Sequence, residues 1–179
     1  KQIFQMFNIA GYDTQLFLLN AAFMGVPQRR ERTFFVARRK DLKLPKIELR
    51  FNEKAIRFSD IKFGSDGAPI GESIKALWDK RIKTDQDLGP ICERVKGKLS
   101  HWNHKIIHSD DIPKTITASI RPLLFDEPRY INDTEVKSIQ TFPQDYKFGK
   151  QDAGYVCGMS VPPFMMQRVA HQIKEQLLG

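Results

Sequence analysis

The sequence predicts an α/β fold: a helix feeding a two-stranded hairpin at the start, a long helix closing the end, and a small irregular lobe between them. Three observations lead there. Residues 1–10 place apolar side chains at Ile3, Phe4, Met6, Phe7 and Ile9, the spacing of an amphipathic helix, and stop at Gly11, a residue type that ends helices. Two apolar runs follow, Thr14 to Leu19 and Thr33 to Ala37, separated by a connector broken at Gly25 and Pro27. Pro163 to Leu178 sets Phe164, Met165, Val169, Ile173 and Leu177 at helical spacing behind a proline suited to a first turn. A hairpin entered from a helix is the closing piece of an α/β sheet.

Between these ends the pattern weakens. From Lys40 to Asp111 lysine, proline, glycine and aspartate are frequent, which suits a small accessory α+β lobe better than a continuing sheet. Glu72 to Lys83 reads as a short helix with Ile74, Leu77, Trp78 and Ile82 on one face, and Asp87 to Val95 as another. Regular patterning resumes at Ile112. Asp133 to Thr141 reads as a helix capped by Asp133 or Thr134, with a turn at Pro143. The expected division is therefore 1–39, 40–111 and 112–179.

Composition bounds the function. A chain of 179 residues with 41% hydrophobic and 28% charged residues is an ordinary globular protein. It holds no apolar run of the ~20 residues that span a bilayer, and no basic-then-apolar leader. Two cysteines, Cys92 and Cys157, do not make a disulfide framework, which fits a reducing cytoplasm. The first residue is Lys1, so we expect a piece of something longer. Lysine plus arginine number 29 against 21 acidic residues, for a net charge of +8. From Arg29 to Arg57 there are 11 basic and four acidic residues. Such a surplus favours a polyanion, because neutralised phosphates release condensed counterions; a solvated basic face is the plainer reading.

Gln28, Arg30 and Arg32 alternate into the second strand, where alternate residues share a side. A guanidinium on a rigid strand end can donate paired hydrogen bonds to a carbonyl or phosphate oxygen. In context the cluster is more specific. Gly11 to Arg39 (GYDTQLFLLNAAFMGVPQRRERTFFVARR) resembles a segment of the DNA cytosine-5 methyltransferases, with Asn20, Ala21, Gly25, Val26, Pro27, Gln28, Arg30 and Arg32 at that family's spacing. Pro113 to Ala118, Arg129 to Ile131 and Ile139 to Tyr146 resemble its ninth motif. Gly158-Met159-Ser160-Val161-Pro162-Pro163 resembles its tenth.

The resemblance implies the C-terminal elements of a Rossmann-like, S-adenosylmethionine-dependent methyltransferase domain, with a target-recognition lobe in 40–111. It implies that Arg32 contacts O2 of a flipped cytosine and that Arg30 and Gln28 organise the site and approach DNA. It implies that Gly158, Met159, Ser160 and Val161 form a loop closing over S-adenosylmethionine. Met159 stands where asparagine is usual, and Thr134 and Ser138 where arginines are common. The family's Pro-Cys nucleophile, Glu-Asn-Val acid and Gly-rich cofactor strand are not in these residues, so no methyl transfer is expected of the chain alone. Cys92 and Cys157 read as ordinary small residues.

Around Lys96, cations, an aromatic and an amide mix in the way that touches phosphates and base edges. With Arg29, the residues Lys98, His101, Asn103, His104 and Lys105 are the DNA-facing candidates. His101, His104 and His108 have zinc-compatible spacing but no cysteine joins them, so no metal is expected. The Met165-Met166 pair reads as helix packing. The expected partners are double-stranded DNA and a missing N-terminal catalytic half, with self-association of exposed sheet and core, no membrane, and a cytoplasmic, nucleoid-associated setting. A non-catalytic DNA-binding or partner-binding remnant is the reading from another class.

Overall fold

The structure, a computed structural model, describes residues 2–98 and 104–178. Helix α1 (Gln2–Ile9) turns at Gly11 into strand β1 (Tyr12–Asn20), which pairs antiparallel with β2 (Glu31–Arg39). Both strands outrun the apolar runs that predict them, because the ladder continues to Tyr12 opposite Arg39 and Asn20 opposite Glu31. The connector is ordered by its own polar groups. Asn20 accepts from the Ala22 amide and caps a 3-10 turn over Ala21–Met24, which Gly25 ends at φ 75. Glycine is favoured at 25 by the left-handed backbone, and a Cβ there would also crowd the Phe164 ring at 2.9 Å.

The hairpin is apolar on both faces. Leu19 and Val36 face inward with Met24, Val26, Ile47, Leu49, Met165 and Val169. On the other face Leu16, Leu18 and Phe35 are exposed, and the Phe4 ring of α1 lies 6.0 Å from that of Phe35 between centroids. A strand pair of this kind is the pattern of a sheet covered on two sides. No residue of α1 is buried.

Two glutamines then clasp the extended chain after β2. Gln15 exchanges both amide hydrogen bonds with the backbone of Ile47, and Gln176 does the same with Glu48. Helix α6 (Pro163–Leu177) and the hairpin thereby hold residues 47–48 from opposite sides, and Ile47 and Leu49 enter the core of the hairpin and α6.

The middle of the chain builds two further cores. Ile70, Leu77, Trp78, Leu88, Ile91 and Cys92 gather helices α2 (Glu72–Trp78) and α3 (Leu88–Lys96). Phe58, Ile116, Ile131, Val136, Ile139 and Cys157 gather α4 (Asp133–Gln140) and α5 (Ala153–Met159). Strands β3 (Ile106–Ile107) and β4 (Leu123–Leu124), only two residues each and parallel, join the two. Successive strand residues point to opposite faces, so Ile106 and Leu123 fill one core while Ile107 and Leu124 fill the other.

Three expectations are corrected. Helix α2 stops at Trp78 rather than Lys83, because the Trp78 indole donates to Leu124 O at 2.7 Å and the Asp85 carboxylate takes the Ile82 amide; Ile82 is exposed. The cap of α4 is Asn132, not Asp133 or Thr134: Asn132 and Glu135 bond each other's backbone amides reciprocally. Gly158 and Met159 are the last residues of α5, a helix that two glycines hide in the sequence, so only Ser160 onward leaves it.

Candidate functional site

Gln28 to Arg32 leaves the 3-10 turn and enters β2. The Ala21 amide bonds to Arg30 O at 2.9 Å and closes the hairpin, while the Arg29 amide bonds to Pro113 O at 2.8 Å. Arg29 also bridges Lys114 in parallel register and pairs through its side chain with Asp111 at 2.7 Å. The segment is thus threaded between the hairpin and the start of the second predicted block.

Arg30 is 1% exposed and is the largest fully buried side chain among the described residues. Its Nη1 donates to Ile116 O at 3.1 Å and to Gln28 Oε1 at 3.5 Å; its Nη2 donates to Gly158 O at 2.9 Å and Ser160 O at 2.7 Å. Two of these are carbonyls at the C-terminal end of α5, where the helix leaves acceptors without partners and gathers negative charge. Burial, and then the neighbouring Arg32, lower the Arg30 pKa to about 10, so the guanidinium stays charged at neutral pH. One buried cation therefore ties together residues 28–32, 116 and 158–160. Among the described residues it has no carboxylate partner.

Gln28 is fully buried beside it, its Oε1 used by Arg30 and its Nε2 without a partner among the described residues. Arg32 differs. It lies two residues further on, half-buried, and its guanidinium donates from Nη1 to Glu31 O at 2.7 Å. Of the three alternating residues, the structure buries two and leaves Arg32 half-buried.

The 158–161 segment spends its polar atoms internally. Gly158 O and Ser160 O go to Arg30, and Ser160 Oγ donates to Val156 O at 2.6 Å. A Cβ on Gly158 would stand 2.4 Å from the Ala118 amide and 2.5 Å from the Thr117 carbonyl carbon, so the glycine serves close backbone packing. The Met159 side chain is 68% exposed, and Val161 packs on the hairpin core. What this edge can offer a ligand is the apolar Met159 and its backbone.

Lys98 is exposed, and Lys105 pairs with Asp87 at 3.2 Å. His104 lies 6.1 Å from the Tyr130 ring, and burial lowers its pKa. His101 and Asn103 lie outside the described residues. Among the described residues no group of three metal-ligating side chains forms; His108 instead stacks on Phe125 and bonds Asp85 O. Cys157 is fully buried, and burial pushes its thiol up to about 11, which makes it inert. No helix among the described residues is long and apolar enough to cross a membrane.

Sequence reasoning did not find the Arg129–Glu135 pair. Arg129 donates to both oxygens of the fully buried Glu135, at 2.8 and 2.9 Å, and to Gly64 O at 3.1 Å. The capping pattern from Asn132 to Glu135 was the available signal.

Solved structures share this fold. The methyltransferase EhMeth of Entamoeba histolytica superposes with a TM-score of 0.64 over 97% of this chain and 57% of its own, at 17% identity. The Dnmt2 methyltransferase of S. pombe gives 0.63 over 97% and 61%, at 15% identity. The architecture is that of methyltransferases. Residues 1–175 match the family of C-5 cytosine-specific DNA methylases, and the chain belongs to that family. Type II methyltransferase M1.HphI of Haemophilus parahaemolyticus is 25% identical over 208 residues, covering 96% of this chain and 50% of the relative. Type II methyltransferase M.NgoPII of Neisseria gonorrhoeae is 26% identical over 209 residues, covering 99% and 60%. The chain thus spans half to three fifths of the length of these curated relatives.

Proposed function

We propose that this chain is the recognition and closing portion of a DNA cytosine-5 methyltransferase. It works with a half carrying the Pro-Cys nucleophile, the Glu-Asn-Val acid and the Gly-rich cofactor strand, in one polypeptide or as a separate subunit. The complete enzyme moves a methyl group from S-adenosylmethionine to C5 of a cytosine turned out of double-stranded DNA, by way of a covalent adduct at C6.

The observation that carries this reading is the Arg30 staple, which brings residues 28–32 and residues 158–160 to one place with Arg32 on the outside. In this reading Arg30 and Gln28 are positioning residues, and Arg32 is the catalytic contact, donating to O2 of the flipped base and drawing charge from the ring as C6 is attacked. S-adenosylmethionine supplies the methyl group. This chain touches only an edge of it, through Met159 and the backbone of 158–161. Residues 40–111 form the recognition lobe on the DNA, with the basic surplus as its electrostatic support. The bare apolar face at Leu16, Leu18 and Phe35 supports a second half that covers it.

The test is reconstitution. The chain is produced with its catalytic half, in frame or as a partner, and tritiated methyl incorporation into duplex DNA is measured. Incorporation by the pair, and by neither half alone, is the expected result. A pair that binds together but transfers no methyl group to any duplex sinks the enzyme reading and leaves the DNA-binding remnant.

A further inference from the structure

We infer that Arg29 is a positioning residue for methyl transfer. Its ion pair with Asp111 latches the base of the middle lobe to the strand that carries Arg32, and so sets how DNA held by the lobe meets the target-base edge. The inference rests on the methyltransferase reading above.

The chain departs at residues 58–59 toward α2, α3 and β3 and returns at residues 109–111, and the two passages are bonded side by side. The Phe58 amide donates to Asp111 O at 3.0 Å, and the Ser59 amide to Ser109 O at 2.8 Å. Phe58 is fully buried in one core with Ile107 and Ile116, which fixes the outgoing passage. Asp111 fixes the returning one by its own turn: its amide donates to His108 O at 3.2 Å, and its Oδ1 accepts the Ile112 amide at 2.8 Å.

Backbone and side chain of Arg29 all reach this junction or the residues just after it. The amide donates to Pro113 O at 2.8 Å, the carbonyl accepts from Thr115 Oγ1 at 2.9 Å, and Nη2 donates to Asp111 Oδ1 at 2.7 Å. The first two use peptide groups that any residue at 29 supplies. Only the third belongs to the arginine, and it alone grips the junction itself. Asp111 therefore holds Phe58 through its carbonyl and the catalytic strand through its carboxylate. Arg32 follows on β2 (Glu31–Arg39), and Arg30 between them is buried and bonded to Ile116 O, so little slack remains from Asp111 to Arg32.

The energetics assign the pair to geometry. With side chains 47% and 35% exposed, it adds little to the stability of the fold. A displacement of about 1 Å at a reacting group, in contrast, slows an enzyme by up to about 100-fold. The surroundings also favour the latch over a phosphate contact: Asp111 lines one cavity with Asp110 and Asp126, and three carboxylates beside the guanidinium repel a phosphate.

The test uses the reconstituted enzyme. Arg29→Ala and Asp111→Ala should each slow single-turnover methylation at saturating duplex by about 10-fold, with DNA affinity within about twofold of wild type. Adding Arg29→Ala to Asp111→Ala should slow it no further, because the contact is already gone. Arg29→Lys should recover most of the rate, since the pair needs one nitrogen and one oxygen. In the same pair of halves, amide exchange at Phe58 and Ser59 should quicken in Arg29→Ala while the unfolding midpoint is retained. Wild-type transfer in Arg29→Ala, or unchanged exchange at Phe58 and Ser59, overturns the latch. So does a loss of affinity that flattens the salt dependence by about one ion and is absent in Asp111→Ala, which makes Arg29 a phosphate contact. A wild-type pair that methylates no duplex overturns the enzyme reading beneath, and the exchange result still decides the latch.

Discussion

Arg30 donates from Nη2 to the carbonyl oxygen of Ser160 at 2.7 Å, across 130 positions of sequence. With Gly158 O and Ile116 O it makes a three-way tie that no apolar contact replaces, because each carbonyl is otherwise without a buried donor. Arg30→Met should cost about 3 kcal/mol or more, since it strands these acceptors away from water. Arg30→Lys should recover less than half, as one ammonium cannot reach acceptors spread across a planar fork. Urea unfolding of the two variants against the wild type measures both.

Arg32 should separate from Arg30 in its behaviour. Among the described residues its guanidinium donates only to the adjacent Glu31 carbonyl. Arg32→Ala should leave the unfolding midpoint within about 0.5 kcal/mol of wild type. In the reconstituted enzyme it should slow methyl transfer by roughly 100-fold or more. Single-turnover methylation beside a thermal melt checks the pair of outcomes, and full turnover in the variant would remove Arg32 from the reaction.

Gly158 is a packing glycine. A methyl group there meets the Ala118 amide at 2.4 Å and the Thr117 carbonyl carbon at 2.5 Å, both backbone atoms that cannot rotate away. Gly158→Ala should destabilise by roughly 2–3 kcal/mol by forcing α5 from residues 117–118. Denaturant titration reads the loss directly.

Glu135 closes the cap of α4 and anchors Arg129, which holds Gly64 O. Glu135→Gln removes one of the two carboxylates that pair with the buried Arg129, leaving Glu127 on its Nε, and should cost about 3 kcal/mol. Amide exchange at residues 61–67 should quicken with that at α4, because Asn132 also holds Phe63 O and Asp66.

Cys157 gives a pH dependence of known sign. Burial raises its thiol from 9.0 to about 11 in the folded state, so between those values the unfolded chain is the first to lose the proton. The stability from the buried neutral thiol is fully present below about pH 9 and is lost as pH rises toward 11. Unfolding free energies of the wild type and Cys157→Ala, compared from pH 8 to 11, should converge as pH rises. A thiol reagent at pH 8 should react only as fast as the protein opens.

The parts legible in the sequence were those with local causes. Helix α6 announced itself by proline and spacing, the hairpin by two apolar runs, and the 20–32 connector by residue types that only its turn accommodates. Helix α5 was not legible, because Gly154 and Gly158 break the pattern, and the second of them is there to let residues 117–118 approach. Ile82 was misplaced for the opposite reason: its spacing was helical, but Trp78 and Asp85 take bonds that end the helix first.

By itself the sequence determined the α/β class, the opening helix and hairpin, the closing helix and the family, since periodicity, turn residues and motif spacing are properties of neighbours along the chain. The separate fates of Gln28, Arg30 and Arg32 were decided only in three dimensions. Alternation put all three on one side of the strand, and burial depended on which carbonyls came to meet each guanidinium. Those of residues 116, 158 and 160 arrive at Arg30 from far along the chain and stop short of Arg32.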